Sequence, residues 1–213
     1  EGGIVFYVDE TGEHGLVAAM EDLEGTYEWG WGCYAENVNG ADGTAIGAGY
    51  QNTLDIVNCL QTPIAASEAL AHESGDYSDW HLPSRDELEL MYNTIGNGGS
   101  EGNIGGFENN WYWSSSEYDD SNAWFVSVDV GSTSYSNKSS PLRVRVIRAF
   151  GYIQGCMDSL ACNFIPEANM ADGSCTYAEQ GYDCEGNITA VIGDVMEGGY
   201  LFYLDESGEH GLV

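Results

Sequence analysis

The chain has 213 residues, with 35 acidic side chains against 5 basic ones and a formal net charge of -30. A surface this acidic repels phosphate backbones and anionic lipid, which excludes nucleic acid and a bare membrane as partners; it suits solubility in a salty medium, and it can also collect divalent cations. No apolar run approaches the roughly 20 residues of a membrane-spanning helix, so no direct membrane insertion is expected.

Residues 4–8 form a short β-branched and aromatic run closed by Asp9-Glu10-Thr11-Gly12, and residues 15–20 resume apolar, which predicts a β-hairpin. Residues 25–50, rich in Gly, Asn and aromatics, read as ordered loop. Asn52 or Thr53 can cap a short helix reaching Cys59, and Thr62-Pro63 opens a second, to about Glu73, because proline costs nothing at the first helical position. Ser84 and Glu87 form a capping box, and Leu88, Met91, Tyr92 and Ile95 follow at i, i+3, i+4 and i+7, so a third helix must turn that stripe to a core.

After the glycine-rich residues 97–106 the period becomes two, and residues 112–116, 123–130 and 142–150 read as strands, the first two joined by a polar loop around Asp119, Asp120 and Asn122. Hairpin, then helices, then strands is an α+β order, with mixed antiparallel sheets and two or three helices. Four of the five basic residues, Lys138, Arg143, Arg145 and Arg148, lie at or in the last strand, where pairing with carboxylates inside the fold is expected.

The chain ends by repeating its beginning. Residues 2–17 read GGIVFYVDETGEHGLV and residues 198–213 read GGYLFYLDESGEHGLV, matching at twelve of sixteen positions. An offset of 196 residues, 198 minus 2, is too long for a solenoid unit and implies a tandem array of whole domains. The expected organisation is a domain over 1–150, a Cys-rich linker module over 151–190 and the first hairpin of the next repeat over 191–213, all within one period of a longer polypeptide.

Four of the six cysteines crowd between positions 156 and 184 with no CxxC pair and no histidine among them, which favours disulfides over zinc and an extracellular or cell-surface location. Four cysteines allow three connectivities, and the sequence alone leaves them open. In the same module Asp158, Asn163, Asn169, Asp172 and Ser174 surround an Asp-Gly turn and are candidate calcium donors, although their spacing is not that of an EF-hand; capping of turns is the competing role.

Among the six tryptophans core packing is the expected role, but Trp29 and Trp31, with Tyr34, stand in a glycine-rich loop and are candidates for an exposed sugar-binding surface. The acidic loop Glu117, Asp119, Asp120 and Asn122 is a second candidate, for glycan or calcium, against a plain solvated loop.

The segments WHLPSRDELELMY (80–92), WYWSSSE (111–117), AWFV (123–126) and RVRVIRAF (143–150), with the opening GGIVFYVDETGEHGLVAA, resemble the bacterial DUF1566 family, also called the Lcl C-terminal or major paralogous domain. The resemblance implies a C-type-lectin-like fold, related to formylglycine-generating enzymes and found in secreted and surface proteins, one branch of which is an adhesin for sulfated polysaccharides. The module GCMDSLACNFIPEANMADGSC (155–175) is similar to a short Cys-containing repeat of giant secreted proteins in Bacteroidetes-type bacteria. That resemblance implies the pairs Cys156–Cys175, Cys162–Cys184 and Cys33–Cys59.

No enzyme is expected. Cys33 and Cys59 stand in unlike contexts without the formylglycine-generating motif, and His14, His72, His81 and His210 adjoin no Ser or Cys in a nucleophile motif. His14 and His81 are expected to hydrogen-bond neighbouring turns. The reading is a repeat unit of an extracellular filament or adhesin whose partners are neighbouring repeats, other copies of the chain and possible polysaccharide. A glycan-binding lectin-like module is the alternative and a formylglycine-type enzyme a distant third; calcium is the one cofactor expected, if any.

Overall fold

The computed structural model describes residues 2–33, 35–58, 63–151, 154–156, 158, 160–165, 168, 170–171, 173–179, 181–187, 189, 195–196, 199–200, 203–204 and 211–212. The chain divides into two compact units, Glu1–Tyr152 and Ile153–Val213.

The first unit begins with β1 (Gly3–Val8) and β2 (Gly15–Ala19), an antiparallel hairpin with a bulge between Val5 and Tyr7. Its turn is held from within. Asp9 Oδ1 accepts the backbone N–H groups of Thr11 (3.1 Å) and Gly12 (3.0 Å) and the Thr11 hydroxyl (2.6 Å), while Oδ2 meets His14 Nδ1 at 2.7 Å. Gly12 sits at φ +76°, backbone that glycine adopts without steric cost. These bonds hold the Asp9 carboxyl well below the usual carboxylate range.

Helices α1 (Gly49–Val57), α2 (Ala65–Leu70) and α3 (Arg85–Ile95) follow. α1 begins before Asn52 because Gly49 lies against α3: a Cβ there would stand 2.4 Å from Glu87 Oε2 and 2.6 Å from the Leu82 carbonyl oxygen. Asn52 and Thr53 are inside the helix, Thr53 donating to the Gly49 carbonyl at 2.6 Å. α3 carries its capping box as a reciprocal pair: the Ser84 hydroxyl accepts from Glu87 N–H at 3.3 Å, and Glu87 accepts from Ser84 N–H at 2.6 Å. Leu88, Met91 and Ile95 are buried.

Strands β3 (Trp111–Glu117), β4 (Asn122–Ser127) and β5 (Ser132–Asn137) form a second antiparallel sheet in sequential order. β6 (Ile147–Phe150) adds to β2, giving a first sheet of order β1-β2-β6. β5 is a strand to which the sequence patterning assigns no element, and residues 128–131 are a turn rather than the end of β4.

β2 is buried on both faces, and its alternation distributes the core. Leu16 and Ala18 join Phe6, Leu88, Met91, Tyr112, Val126 and Ile147, whereas Val17 and Ala19 join Trp29, Ile56, Ile64, Trp80, Trp113 and Val146. β3 divides likewise, with Tyr112 in one cluster and Trp113 in the other.

In the second unit β7 (Gln154–Gly155) pairs in parallel with β8 (Met170–Ala171), and two disulfides, Cys156–Cys175 and Cys162–Cys184, close loops of 19 and 22 residues. β9 (Val195–Met196) pairs with β10 (Gly199–Tyr200), and β11 (Tyr203–Leu204) with β12 (Gly211–Leu212). The last pair repeats the first hairpin in register: Tyr203 faces Leu212 and Leu204 faces Gly211, as Tyr7 faces Leu16 and Val8 faces Gly15, each position displaced by 196.

Candidate binding site

The acidic loop and the glycine-rich loop meet, but around a lysine. Lys138 is fully buried, and its ammonium lies 2.5 Å from Glu117 Oε1, 2.8 Å from the Glu36 carbonyl oxygen, 2.9 Å from that of Asp120 and 3.2 Å from that of Cys33. Three N–H donors shared among four oxygens close a cage of the kind hard cations occupy, here filled by a cation of the chain itself. The face of Trp29 lies 5.2 Å away. Glu117 also accepts the Val38 N–H at 2.9 Å.

Several sequence expectations change at this point. Trp29, expected in an exposed loop, is fully buried, with its indole N–H donating to the Ser114 carbonyl at 2.9 Å, because the Lys138 backbone and side chain draw the loop inward. Glu117 is buried and committed to Lys138. Asp119 is spent locally: burial works against its charge, yet bonds from the Ser121 N–H and from the Asn122 N–H and amide hold it below the usual carboxylate range. Asp120 accepts the Ser121 hydroxyl at 2.8 Å. The side chain of Trp31 and the whole of Tyr34 lie outside the described residues. Cys33 is disulfide-bonded, and Cys59, its implied partner, lies outside them as well.

All five basic side chains have carboxylate partners: Lys138 with Glu117, Arg85 with Asp86, Arg143 with Glu108, Arg145 with Asp22 (2.7 Å) and Arg148 with Asp79 (2.7 Å). Asp22 additionally accepts the Tyr112 hydroxyl at 2.7 Å, and the buried Arg145 reaches the Gly105 carbonyl at 2.7 Å. Burial and the hydrogen bond to Asp22 push the Tyr112 phenol well above its ordinary value. A cleft of about 530 Å³ opens over Asp22, Glu108 and Arg143; both of its arginines, Arg143 and Arg145, are paired with Asp22 and Glu108, and Glu21 and Glu24 leave the lining acidic.

Two further titratable groups are buried without an ionic partner among the described residues. Burial raises the Glu87 carboxyl to about 6 against the N–H groups of Ser84, Gly47 and Gly49 that bond it. Burial lowers the His81 imidazole to about 4; its Nδ1 lies 3.3 Å from the Asp79 carbonyl, its Nε2 has no partner among the described residues, and the Tyr50 ring stands edge-on at 5.4 Å.

In the second unit Asp158 accepts the Leu160 N–H (2.9 Å) and the Tyr177 hydroxyl (2.8 Å), which lower its pKa. Asn163 donates to the Ser174 carbonyl (2.6 Å) and accepts from Thr176 N–H (2.8 Å). Both side chains cap turns, the role that competes with calcium ligation for these residues. Asn169 and Asp172 lie outside the described residues, and among the described residues no group of three His, Cys, Asp or Glu is placed to hold a metal ion.

One open aromatic surface was missed by sequence reasoning. Trp111 is 47% exposed and stacks on Phe125, ring centres 4.8 Å apart and planes 22° apart. Opposed residues share a sheet face, so the register Trp111↔Ser127↔Ser132 and Trp113↔Phe125↔Ser134 sets Ser132 and Ser134 on the side that carries Trp111. Together with Asp129 in the β4–β5 turn they line a cleft of about 630 Å³. The signal that could have found it is the alternation S-T-S-Y-S in β5.

The chain matches a crystal structure of a fimbrial protein from Bacteroides ovatus ATCC 8483 at 15% identity and a TM-score of 0.43, over 64% of this chain and 35% of that one. The chain thus spans about a third of the length of that protein. No curated protein matches it. The model of the Lcl C-terminal domain matches residues 21–148, a span that holds both the Asp22–Arg145 and the Asp79–Arg148 pairs. With more than half of its length in that match, the chain belongs to the Lcl C-terminal domain family.

Proposed function

We propose that the chain is one period of a long extracellular or cell-surface bacterial protein in which Lcl C-terminal domains, separated by disulfide-stapled modules, build an attachment filament. The observation that carries this reading is the second hairpin, whose strands pair in the register of the first at a displacement of 196 residues. A lone domain has no use for a second copy of its own opening hairpin, whereas an array needs one per period.

Membership in the Lcl C-terminal family supports a surface role, and the two described disulfides support an oxidising compartment. A module of this size has little core, so cross-links supply what burial does not. The C-type-lectin-like assignment belongs to this reading and draws on the two antiparallel sheets and three helices of the first unit. Function here is mechanical and adhesive rather than catalytic. Partners are neighbouring repeats and further copies of the chain.

The test is the native polypeptide itself. Peptide mapping of the intact protein, with sequencing of its coding region, is expected to give several copies of the GG-x-x-FY-x-DE-x-GEHGLV motif at intervals near 196 residues. A natural chain holding only these two copies would overturn the array.

A second reading, glycan binding by each repeat, is favoured by the exposed Trp111 platform. The two are compatible, because linked weak sites gain avidity without new contacts.

A further inference from the structure

We infer that the groove formed by Trp111, Phe125, Ser132, Ser134 and Asp129 is a binding site for an uncharged glycan. The inference supplies the ligand class for the attachment reading and rests on that reading only for its biological purpose.

The stacked pair Trp111 and Phe125 is one wall. An indole left 47% exposed at the end of a strand whose next same-face residue, Trp113, is fully buried forfeits burial that the fold obtains two residues later. Its partner ring, 22° from parallel, holds the indole plane in place, so a flat ligand meets a surface already ordered. The C–H faces of pyranose rings suit such a surface, since their weakly positive hydrogens meet the electron-rich face of the indole.

The other wall is polar and uncommitted. Ser132 and Ser134 are exposed, and among the described residues their hydroxyls have no protein partner. Asp129 takes the Ser127 hydroxyl on Oδ1 and leaves Oδ2 without a described partner. Hydroxyls beside a carboxylate oxygen match a ligand rich in hydroxyl groups, where each O–H can donate to Asp129 and accept from serine. A cleft of about 630 Å³ is of the usual size for a small-molecule site.

Charge selects among glycans. The lining carries a carboxylate and no Lys or Arg, and the chain bears a net charge of -30. All five basic side chains are paired elsewhere. A sulfated or uronic-acid polymer would be repelled, so the ligand is neutral.

The test is titration of the 213-residue chain, followed by calorimetry and tryptophan fluorescence. The probes are neutral hexasaccharides of β-1,4-glucan and β-1,3-glucan and a neutral α-mannan, with heparin and chondroitin sulfate as charged comparisons. At least one neutral probe is expected to bind and shift the emission, with no binding of the sulfated polymers. Trp111→Ala should weaken that binding by about tenfold or more. Ser134→Glu, at an exposed position of the edge strand β5, should weaken it while the melting temperature stays near the parent value. The inference is overturned if no neutral probe binds, if the sulfated polymers bind in preference, or if both variants bind like the parent. Concentration-dependent self-association abolished by Trp111→Ala would overturn it too, assigning the groove to a second copy of the chain. None of these failures alters the count of repeats in the native polypeptide, so the two readings are tested apart.

Discussion

Replacing Lys138 by methionine removes the one cation that organises two loops. In the native fold its ammonium lies 2.5 Å from Glu117 Oε1 and within 3.2 Å of three carbonyl oxygens, with the lysine side chain fully buried and that of Glu117 6% exposed. Lys138→Met leaves the Glu117 carboxylate buried with the Val38 N–H as its described donor, takes the ammonium from the carbonyls of Glu36 and Asp120, and leaves that of Cys33 with only the Glu36 N–H at 3.3 Å. Breaking one side of a buried pair costs about 3–5 kcal/mol. At about 2–4 °C per kcal/mol for a domain of this size, the melting temperature should fall by roughly 6–20 °C.

The control is the double variant Lys138→Met/Glu117→Gln, which removes the stranded charge while keeping an acceptor for Val38. It should be more stable than Lys138→Met alone by about 1 kcal/mol or more, although Glu117→Gln by itself destabilises. Urea and thermal unfolding followed by tryptophan fluorescence, with Trp29 5.2 Å from the ammonium, report both quantities. A loss below about 1 kcal/mol in Lys138→Met, or strictly additive costs in the double variant, would show that the cage is not what holds these loops.

Other consequences concern pH and covalent staples. His81, held near 4 by burial against an ordinary 6.5, binds its proton first in the unfolded chain, so its contribution is present above pH 6.5 and lost as pH falls through about 4, to a limit of about 3 kcal/mol. His81→Phe should remove that part of the slope from urea unfolding measured between pH 7 and pH 4, and an unchanged slope would refute the assignment. Glu87 works in the opposite sense: raised to about 6 from 4.5, it contributes stability that is present below pH 4.5 and lost as pH rises through 6, about 2 kcal/mol in all. Glu87→Gln should flatten that segment, whereas retention of the native slope would place the titration elsewhere. For the module, Cys162→Ala/Cys184→Ala should speed proteolysis within residues 153–213 while the first unit keeps its melting temperature. Chelator decides the calcium expectation by the same readout: with Asp158 and Asn163 bonded within turns, proteolysis is expected to stay unchanged, and marked acceleration would assign calcium to the module.

The elements legible in the sequence are those whose determinants are local. Ser84 and Glu87 mark the start of α3 because a capping box closes within four residues, and Asp9, Thr11, Gly12 and His14 encode a turn that needs no distant partner. β5 was invisible because Ser-Thr-Ser-Tyr-Ser-Asn carries no apolar alternation: it is an edge strand, and its two faces differ in what they touch rather than in hydropathy. Trp29 and Glu117 were misjudged for another reason. Their surroundings are fixed by Lys138, about 100 positions from the Cys33 and Glu36 carbonyls, and composition does not reveal such a contact. The pairing of the basic residues with carboxylates was anticipated in kind, but partners such as Asp22 and Asp79 emerge only from the packing of β6 and its approach against distant loops. Trp111 and Trp113 are indistinguishable in W-Y-W, since both face the same side of β3, and only the position where the core ends separates platform from core.

The account's central claim, that this chain is one bead of an array, is tested most directly by electron cryo-microscopy of the native material released or displayed by the source cells. Fibres with an axial repeat of one Lcl C-terminal domain plus one disulfide-stapled module, recurring along a single polypeptide, are the predicted result. Isolated monomers, each holding one such domain with no successor, would contradict it.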